Sequence, residues 1–379
     1  GNSPDIIGSH PFPKIQNKSL NFMVKLKGSD VFGNSPKLAV VPAPRILPRY
    51  IKLPKKISQD KDTYIFLSSL IHENVDKLFP GLKVWGCHQF RVTMNSNLVF
   101  DDEDLNDIKK SLTRLLPERK FNEAVRLEVV KDCPKDILKF LKAQYKLNDI
   151  DIYKINGPVN LNRFYSIYDD IKKKELKFPV YKPNNNSLQK AKGNKFFEDL
   201  KERDVLLHHP YNDFKIVTNF LKLAVFDKNT VAIKQTIYRT SLDSEIIKLL
   251  IKAAKRNIAV TVVIELRAKF DEENNIKIAK KLEDVGVQVT YGIRKYKTHA
   301  KALLIVRKEN NQLVNYFHLA TGNYNSKTAS LYTDFGLISS NKQIGHDIHK
   351  FFLQLTGSNK DMKYKHLFLS PLNLSLIHI

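Results

Sequence analysis

His299-Ala300-Lys301 sets an imidazole and an ammonium two residues apart at the head of an apolar run, Leu303–Val306. On a strand, residues at that spacing share a face, so the two groups project together. A neutral imidazole is a competent nucleophile towards phosphorus, and a neighbouring cation both lowers its pKa and holds phosphoryl oxygens. Polar residues at a strand mouth read the same way, so context decides. After the next apolar run comes Thr321-Gly322-Asn323-Tyr324-Asn325. Its glycine permits close backbone approach, and the side chains of Thr321, Asn323 and Asn325 can donate to phosphate oxygens. Arg239, Arg267 and Lys269 follow strand-like runs, where cations suit phosphate or phosphate–metal clamping; solvated surface charge is the plainer reading of each. Asp271-Glu272-Glu273 fits the electropositive start of a helix, with magnesium contact a second role. His208-His209 lacks metal-ligand spacing with any other histidine, and His318, beside aromatic residues, reads as a core histidine. No P-loop and no kinase-type HRD or DFG set is present, so any use of ATP follows another architecture.

The elements that must position these groups fall into two rhythms. The first sixty residues are turn-rich, with strand-like runs at Asn21–Leu26 and Lys37–Val41. Apolar residues recur at helical spacing from Asp62 to Leu78, and strands are predicted at Val84–Thr93 and Asn97–Phe100. Asp101–Asp104 supplies acidic charge to a helix that Pro117 should end; Ala124–Val130 alternates as a strand, and Pro134–Leu147 reads as a helix. Lys177–Gly193, with two prolines and three consecutive asparagines, reads as a linker. Beyond it strands and helices alternate: Val231–Arg239, a helix opened by Asp243-Ser244, Val260–Leu266, a helix over Asp271–Val285, Val287–Tyr291, then Ala300–Val306, Leu313–Leu319 and Phe335–Ser339. That order predicts an α/β domain with a mostly parallel sheet and helices on both faces, with ligands at the carboxyl ends of the strands. The fold class expected is α/β and α+β multidomain: an α+β head followed by an α/β unit.

Composition narrows the function. Lys+Arg 63 against Asp+Glu 39 gives a net charge of +24 in 379 residues, which points to a polyanionic partner. Only Cys87 and Cys133 are present, so neither a disulfide scaffold nor a structural zinc site is supported, and a reducing compartment fits. The most apolar stretch, Ile258–Ile264, is far shorter than the ~20 residues of a membrane helix.

The H-x-K followed by a G-x-N turn resembles half of a phospholipase D superfamily site, in which two halves pair so that one histidine attacks phosphorus. Val306 stands where that superfamily's H-x-K-x4-D motif has its aspartate, which argues against an ordinary phospholipase D or nuclease. The whole set of motifs, from Ser9 to about Asn373, resembles the ATP-dependent, phosphohistidine type of bacterial polyphosphate kinase. The segments that carry the resemblance are His10–Pro13, Ile46–Arg49, Phe90–Thr93, Glu123–Glu128, Asp204–Tyr211, Ile237–Arg239 with Asp243-Ser244, Glu265–Glu273, Lys297–Lys301, Thr321–Asn325 and Leu331–Asp334. The resemblance implies reversible transfer of the ATP γ-phosphate to inorganic polyphosphate through a phosphohistidine. It implies His299 as the phosphorylated residue with Lys301 beside it, Tyr332 near the adenine, and Thr321, Asn323 and Asn325 towards the substrate. Arg239 and Lys269 match magnesium-site positions, Lys269 standing where the family usually has arginine and so lacking the bidentate fork. Magnesium and ATP, ATP/ADP and polyphosphate as partners, a homo-oligomer, no specific nucleic acid, and a bacterial setting that is cytoplasmic or membrane-peripheral are implied likewise.

On this reading residues 1–183 form the head (middle) domain, 184–359 a first phospholipase D-like domain, and 360–373 the start of a second, with Lys363–Asn373 as its first strand. Residues 374–379 match what a common sequencing-library adapter encodes in one frame, and the chain is expected to be a fragment with little activity of its own. The alternatives are a phospholipase D-like phosphodiesterase and a non-catalytic polyanion-binding protein.

Overall fold

Alternate residues of the first sheet enter two cores, one on each of its faces. The chain is described here from a computed structural model for residues 5–7, 12–29, 37–59, 62–97, 107–118, 122–183, 193–293, 296–357 and 362–371. Its contacts divide it into Gly1–Val99 with Arg114–Pro179, and Phe100–Thr113 with Val180–Ile379. The first part carries β1 (Asp5–Ile7), β2 (Leu20–Lys27), β3 (Leu38–Pro42), β4 (Tyr50–Lys52), α1 (Lys55–Ser58), β5 (Tyr64–Phe66), α2 (Leu67–Glu73) and β6 (Lys83–Met94). The division falls inside α3 (Ile108–Glu118); β7 (Ala124–Val130), α4 (Lys135–Gln144), β8 (Ile152–Ile155) and α5 (Tyr165–Asp170) follow.

The sheet order is β1-β3-β2-β6-β7-β8, with β4 and β5 pairing apart. Met23, Phe90, Val92, Leu127 and Val129 pack on one face against Ile137 and Leu141 of α4, whereas Phe22, Val24, Ala39 and Val41 pack on the other. Such a sandwich of alternating residues is the α+β unit the periodicity predicts. The helix predicted across Asp62–Leu78 is shorter, because Tyr64–Phe66 is taken as a strand by Tyr50–Lys52 before α2 begins. Pro117 lies in the last turn of α3, which ends one residue beyond it. The strand predicted at Asn97–Phe100 and the acidic run Asp101–Asp104 lie largely or wholly outside the described residues, as do His10-Pro11, most of the Lys177–Gly193 linker and the terminal six residues.

The second part carries α6 (Asn194–Glu202), β9 (Val205–His209), α7 (Lys215–Phe226), β10 (Thr230–Ile237), α8 (Glu245–Lys255), β11 (Ala259–Ile264), α9 (Glu272–Glu283), β12 (Gln288–Thr290), β13 (Lys301–Glu309), β14 (Gln312–Ala320), α10 (Ser326–Ala329), β15 (Asp334–Ser339) and α11 (Lys342–Leu355). Its sheet runs β12-β11-β10-β13-β14-β15-β9. The expected parallel character holds only for β10, β11 and β12; the four ladders from β10–β13 to β15–β9 are antiparallel. One of the four follows from a local turn. Asn310 and Asn311 both adopt positive φ, 46° and 63°, and close a two-residue hairpin in which Glu309 faces Gln312.

Helices do cover both faces. Ile348, Phe351, Phe352 and Leu355, at i, i+3, i+4 and i+7 on α11, bury against Ala302, Leu304, Val306 and Phe317. On the opposite face Phe197 of α6 meets Tyr316 at 4.9 Å. Asn341 caps α11 by accepting from Gln343 and Ile344 N–H, and Ser244 caps α8 by accepting from Ile247 N–H. Residues 362–371 form no strand, contrary to the reading of Lys363–Asn373. The amides of Lys365, His366 and Leu367 are spent on the Asp347 carboxylate, at 2.8, 2.7 and 3.2 Å, and so cannot enter a ladder. Among the described residues no helix is long and apolar enough to cross a membrane.

His318 is a core histidine, 1% exposed, with Nδ1 2.9 Å from the Tyr324 hydroxyl. Burial, and then His209, push its pKa down to about 3 from the ordinary 6.5. Between those values the unfolded chain binds a proton that the folded chain refuses. Its contribution to stability is therefore full above pH 6.5 and falls by about 1.4 kcal/mol per pH unit as pH drops towards 3. Urea titrations at several pH values should show this slope in the native chain and its loss in His318→Asn; equal slopes would contradict it.

Candidate active site

The carboxyl ends of β10, β11 and β14 and the starts of β13 and β15 meet at one end of the second sheet. Lys301 faces Ala320 across β13–β14, and Ala320 faces Gly336 across β14–β15. That register brings His299, the 321–325 turn and Asp334 to the same edge. Lys301 is 6% exposed, whereas His299 is exposed. The Lys301 Nζ stands 3.0 Å from Nδ1 and 3.1 Å from Nε2 of His299, so the ammonium lies against the imidazole. Burial lowers the Lys301 ammonium to about 8, with Asp334 opposing. Burial, then Lys301, then Arg239 hold His299 below its ordinary value. The imidazole is thus kept neutral and nucleophilic beside a cation.

The segment that leads through His299 into β13 is anchored on both sides. Thr236 donates from Oγ1 to the Ala300 carbonyl at 2.8 Å and accepts there from Ala302 N–H at 2.9 Å. Glu265, at the end of β11, accepts from Thr298 N–H at 2.6 Å through Oε2. Its Oε1 accepts from Arg267 N–H at 2.8 Å and Nε at 3.2 Å, and Arg267 Nη2 donates to the Tyr296 carbonyl at 2.6 Å. The residues on either side of Lys297 are therefore clamped by one buried ion pair, and His299 follows directly. Arg267 was expected among the phosphate-clamping cations. It is 9% exposed and committed to Glu265 and Tyr296, because the carboxylate two residues back claims it.

Arg239 does reach the site. Its Nε lies 2.8 Å from Asp271 Oδ2, and Nη2 donates to the Lys269 carbonyl at 2.8 Å. Asp271 stands at the start of α9 but makes no side-chain cap there, its carboxylate being turned to Arg239. Lys269 places its ammonium 5.6 Å over the Phe270 ring. Neither of these two cations offers a lone pair to a metal. Among the described residues no three His, Cys, Asp or Glu gather as a metal site. The chain's own groups here do not make a magnesium cage.

In the 321–325 turn, Thr321 donates to Asp334 Oδ1 at 2.8 Å and accepts from Phe335 N–H at 3.0 Å, so its hydroxyl is spent on the turn. Asn325 accepts from Lys327 N–H and starts α10. Asn323 Oδ1 is buried without a partner among the described residues. Gly322 lies against the Asp334 carboxylate, where a Cβ would come within 2.6 Å of Oδ2. Tyr332 is 63% exposed in the turn before β15. The motifs included Asp334 and Tyr238 without giving either a role; the Tyr238 ring meets His299 edge-on at 4.6 Å and lies 5.5 Å from the Lys301 ammonium. Tyr238 precedes Arg239 in a quoted motif, but only the β10–β13 pairing shows what it touches.

Comparison with known families matches residues 4–167 to "Polyphosphate kinase middle domain" and residues 195–361 to "Polyphosphate kinase C-terminal domain 1". The polyphosphate kinase of Pseudomonas aeruginosa is 46% identical over 366 residues, covering 97% of this chain and 53% of that protein. That of Xylella fastidiosa is 48% identical over 367 residues, covering 97% and 52%. The chain thus spans about half the length of the curated relatives it matches. In fold it is similar to the crystal structure of polyphosphate kinase from Porphyromonas gingivalis, with a TM-score of 0.77 at 23% identity, covering 99% of this chain and 54% of that one.

Proposed function

The chain belongs to the polyphosphate kinase family, and from that premise we propose that His299 takes the γ-phosphoryl group of ATP and passes it to the end of an inorganic polyphosphate chain. The observation that supports it most directly is the Lys301 ammonium within 3.1 Å of both His299 ring nitrogens. A lone pair on one ring nitrogen attacks phosphorus, the bond to the β,γ-bridging oxygen breaks, and ADP leaves with that electron pair. A terminal polyphosphate oxygen then attacks the same phosphorus, the P–N bond breaks, and the imidazole is returned neutral. Lys301 and Arg239 meet the charge that builds on the phosphoryl oxygens. Tyr332 offers an exposed ring to the adenine, and Asn323 a polar side chain to the substrate.

Magnesium, on this reading, arrives on the nucleotide phosphates rather than in a cage of side chains. The +24 charge draws the polyphosphate chain by counterion release. The same reading takes residues 1–183 and 184–359 as head and catalytic domains, the working protein as a homo-oligomer, and its setting as cytoplasmic. A phosphodiesterase would need a carboxylate where Val306 stands. That residue is on the opposite sheet face from Lys301, among Phe317, Ile348 and Phe352, where a carboxylate would be buried in apolar surroundings.

Incubation with γ-labelled ATP should leave label on the protein and release no product from a model phosphodiester. Diester hydrolysis without protein-bound label would overturn the proposal.

A further inference from the structure

Three of the motifs in the first part carry arginines for which the His299 site has no use. Arg45 lies in the turn after β3, Arg49 immediately before β4, Arg91 on β6, Arg126 on β7 and Arg163 in the short turn Leu161–Phe164. The fold gathers them. Arg91 faces Glu128 across β6–β7 and pairs with it at 2.8 Å; Arg126 reaches the same carboxylate at 3.2 Å, its guanidinium 3.9 Å over the Tyr153 ring. Leu20 faces Arg91, and Ala43 N–H binds the Leu20 carbonyl, so the segment leading to Arg45 runs beside the same row. Arg45 is held there by donating to the Asn17 carbonyl at 2.7 Å. Tyr50 packs on Phe164 and binds Ser166 through its hydroxyl, which brings Arg163 next to Arg49.

Of these five guanidiniums, Glu128 serves two, Arg91 and Arg126. Asp170, a further carboxylate near Tyr50, accepts from the Tyr64 hydroxyl at 2.6 Å. Arg49 Nη1, Arg91 Nε and Arg126 Nε are buried with no acceptor among the described residues. Burial, and then Arg163, Arg45 and Arg91, lower the Arg49 pKa, which is the mark of like charges held together. Buried donors without acceptors and packed cations both cost stability, and an oxyanion relieves both at once. Guanidinium forks match phosphate bidentately.

We propose that Arg45, Arg49, Arg91 and Arg163 form a binding site for condensed phosphate on the first part of the chain, separate in sequence from the His299 site. It rests on the reading that polyphosphate is a substrate, and it assigns the chain of phosphates, rather than the nucleotide, to these arginines.

The test measures binding of inorganic polyphosphate and, separately, of ATP to the full chain, to Arg49→Gln and to Arg163→Gln, over a series of salt concentrations. Arg49→Lys, which keeps the charge and loses the fork, controls for folding through its melting curve. Each Gln variant should bind polyphosphate about tenfold more weakly, with the salt slope reduced by about one, and bind ATP as the native chain does. Folded variants that bind polyphosphate like the native chain would overturn the site while leaving the substrate reading intact. Loss of ATP binding with polyphosphate binding retained would place a nucleotide there instead. A native chain that binds no polyphosphate would sink both.

Discussion

Replacing Lys301 by Met is expected to slow phosphoryl transfer to His299 by about 10²–10³-fold, the loss that follows removal of one preorganised donor to a developing oxyanion. Lys301 is nearly buried, and its ammonium sits against both ring nitrogens of the nucleophile. The pH profile should change in both limbs. In the native chain the ammonium titrates near 8, so transfer falls as pH rises through that value; with Met there is no ammonium to lose and that limb disappears. On the acid side, burial, Lys301 and Arg239 keep the imidazole neutral to below its ordinary 6.5. Without Lys301 the imidazole binds its proton more readily, and the acid limb moves to higher pH. Single-turnover labelling measured as a function of pH reads both limbs. A variant with a native rate and native limbs would show that Lys301 does not face the reacting phosphorus.

Removing the carboxylate of Glu265 should cost about 3–5 kcal/mol of stability, the usual penalty for taking one partner from a buried ion pair. Glu265 is 1% exposed and holds Arg267 through one oxygen and the Thr298 amide through the other. Glu265→Ala strips Arg267 of its carboxylate and Thr298 of its acceptor, one residue before His299. Glu265→Gln keeps an acceptor for Thr298 and should be milder. Among the molecules that remain folded, the rate of labelling should fall while nucleotide affinity holds, since the clamp orients the nucleophile rather than touching ATP. Denaturant titration and single-turnover kinetics check the two halves. A loss under about 1 kcal/mol, the scale of an exposed pair, would contradict the clamp.

Much of the site was legible because its signals are local. His299 and Lys301 stand two residues apart at the head of β13, and the 321–325 turn follows the next strand, so their meeting needs only one hairpin. Arg267 misled for a physical reason: a cation beyond a strand end looks solvent-facing until a carboxylate two residues earlier folds onto it. Tyr238 and Glu265 make their contacts across the sheet, to partners that spacing along the chain cannot name. One of the four antiparallel ladders in the sheet predicted as mostly parallel, β13–β14, had a turn signal in Asn310-Asn311, whose side chains tolerate left-handed backbone. The helix predicted over Asp62–Leu78 lost its first turn to strand pairing with Tyr50–Lys52, a tertiary choice that helical periodicity does not register.

The most direct measurement places the phosphate. After incubation with magnesium and γ-labelled ATP, the chain should carry acid-labile, alkali-stable label that tandem mass spectrometry assigns to His299, absent from His299→Ala and discharged by added ADP. Label on another residue, or label that survives in His299→Ala, would contradict the proposed role of this site.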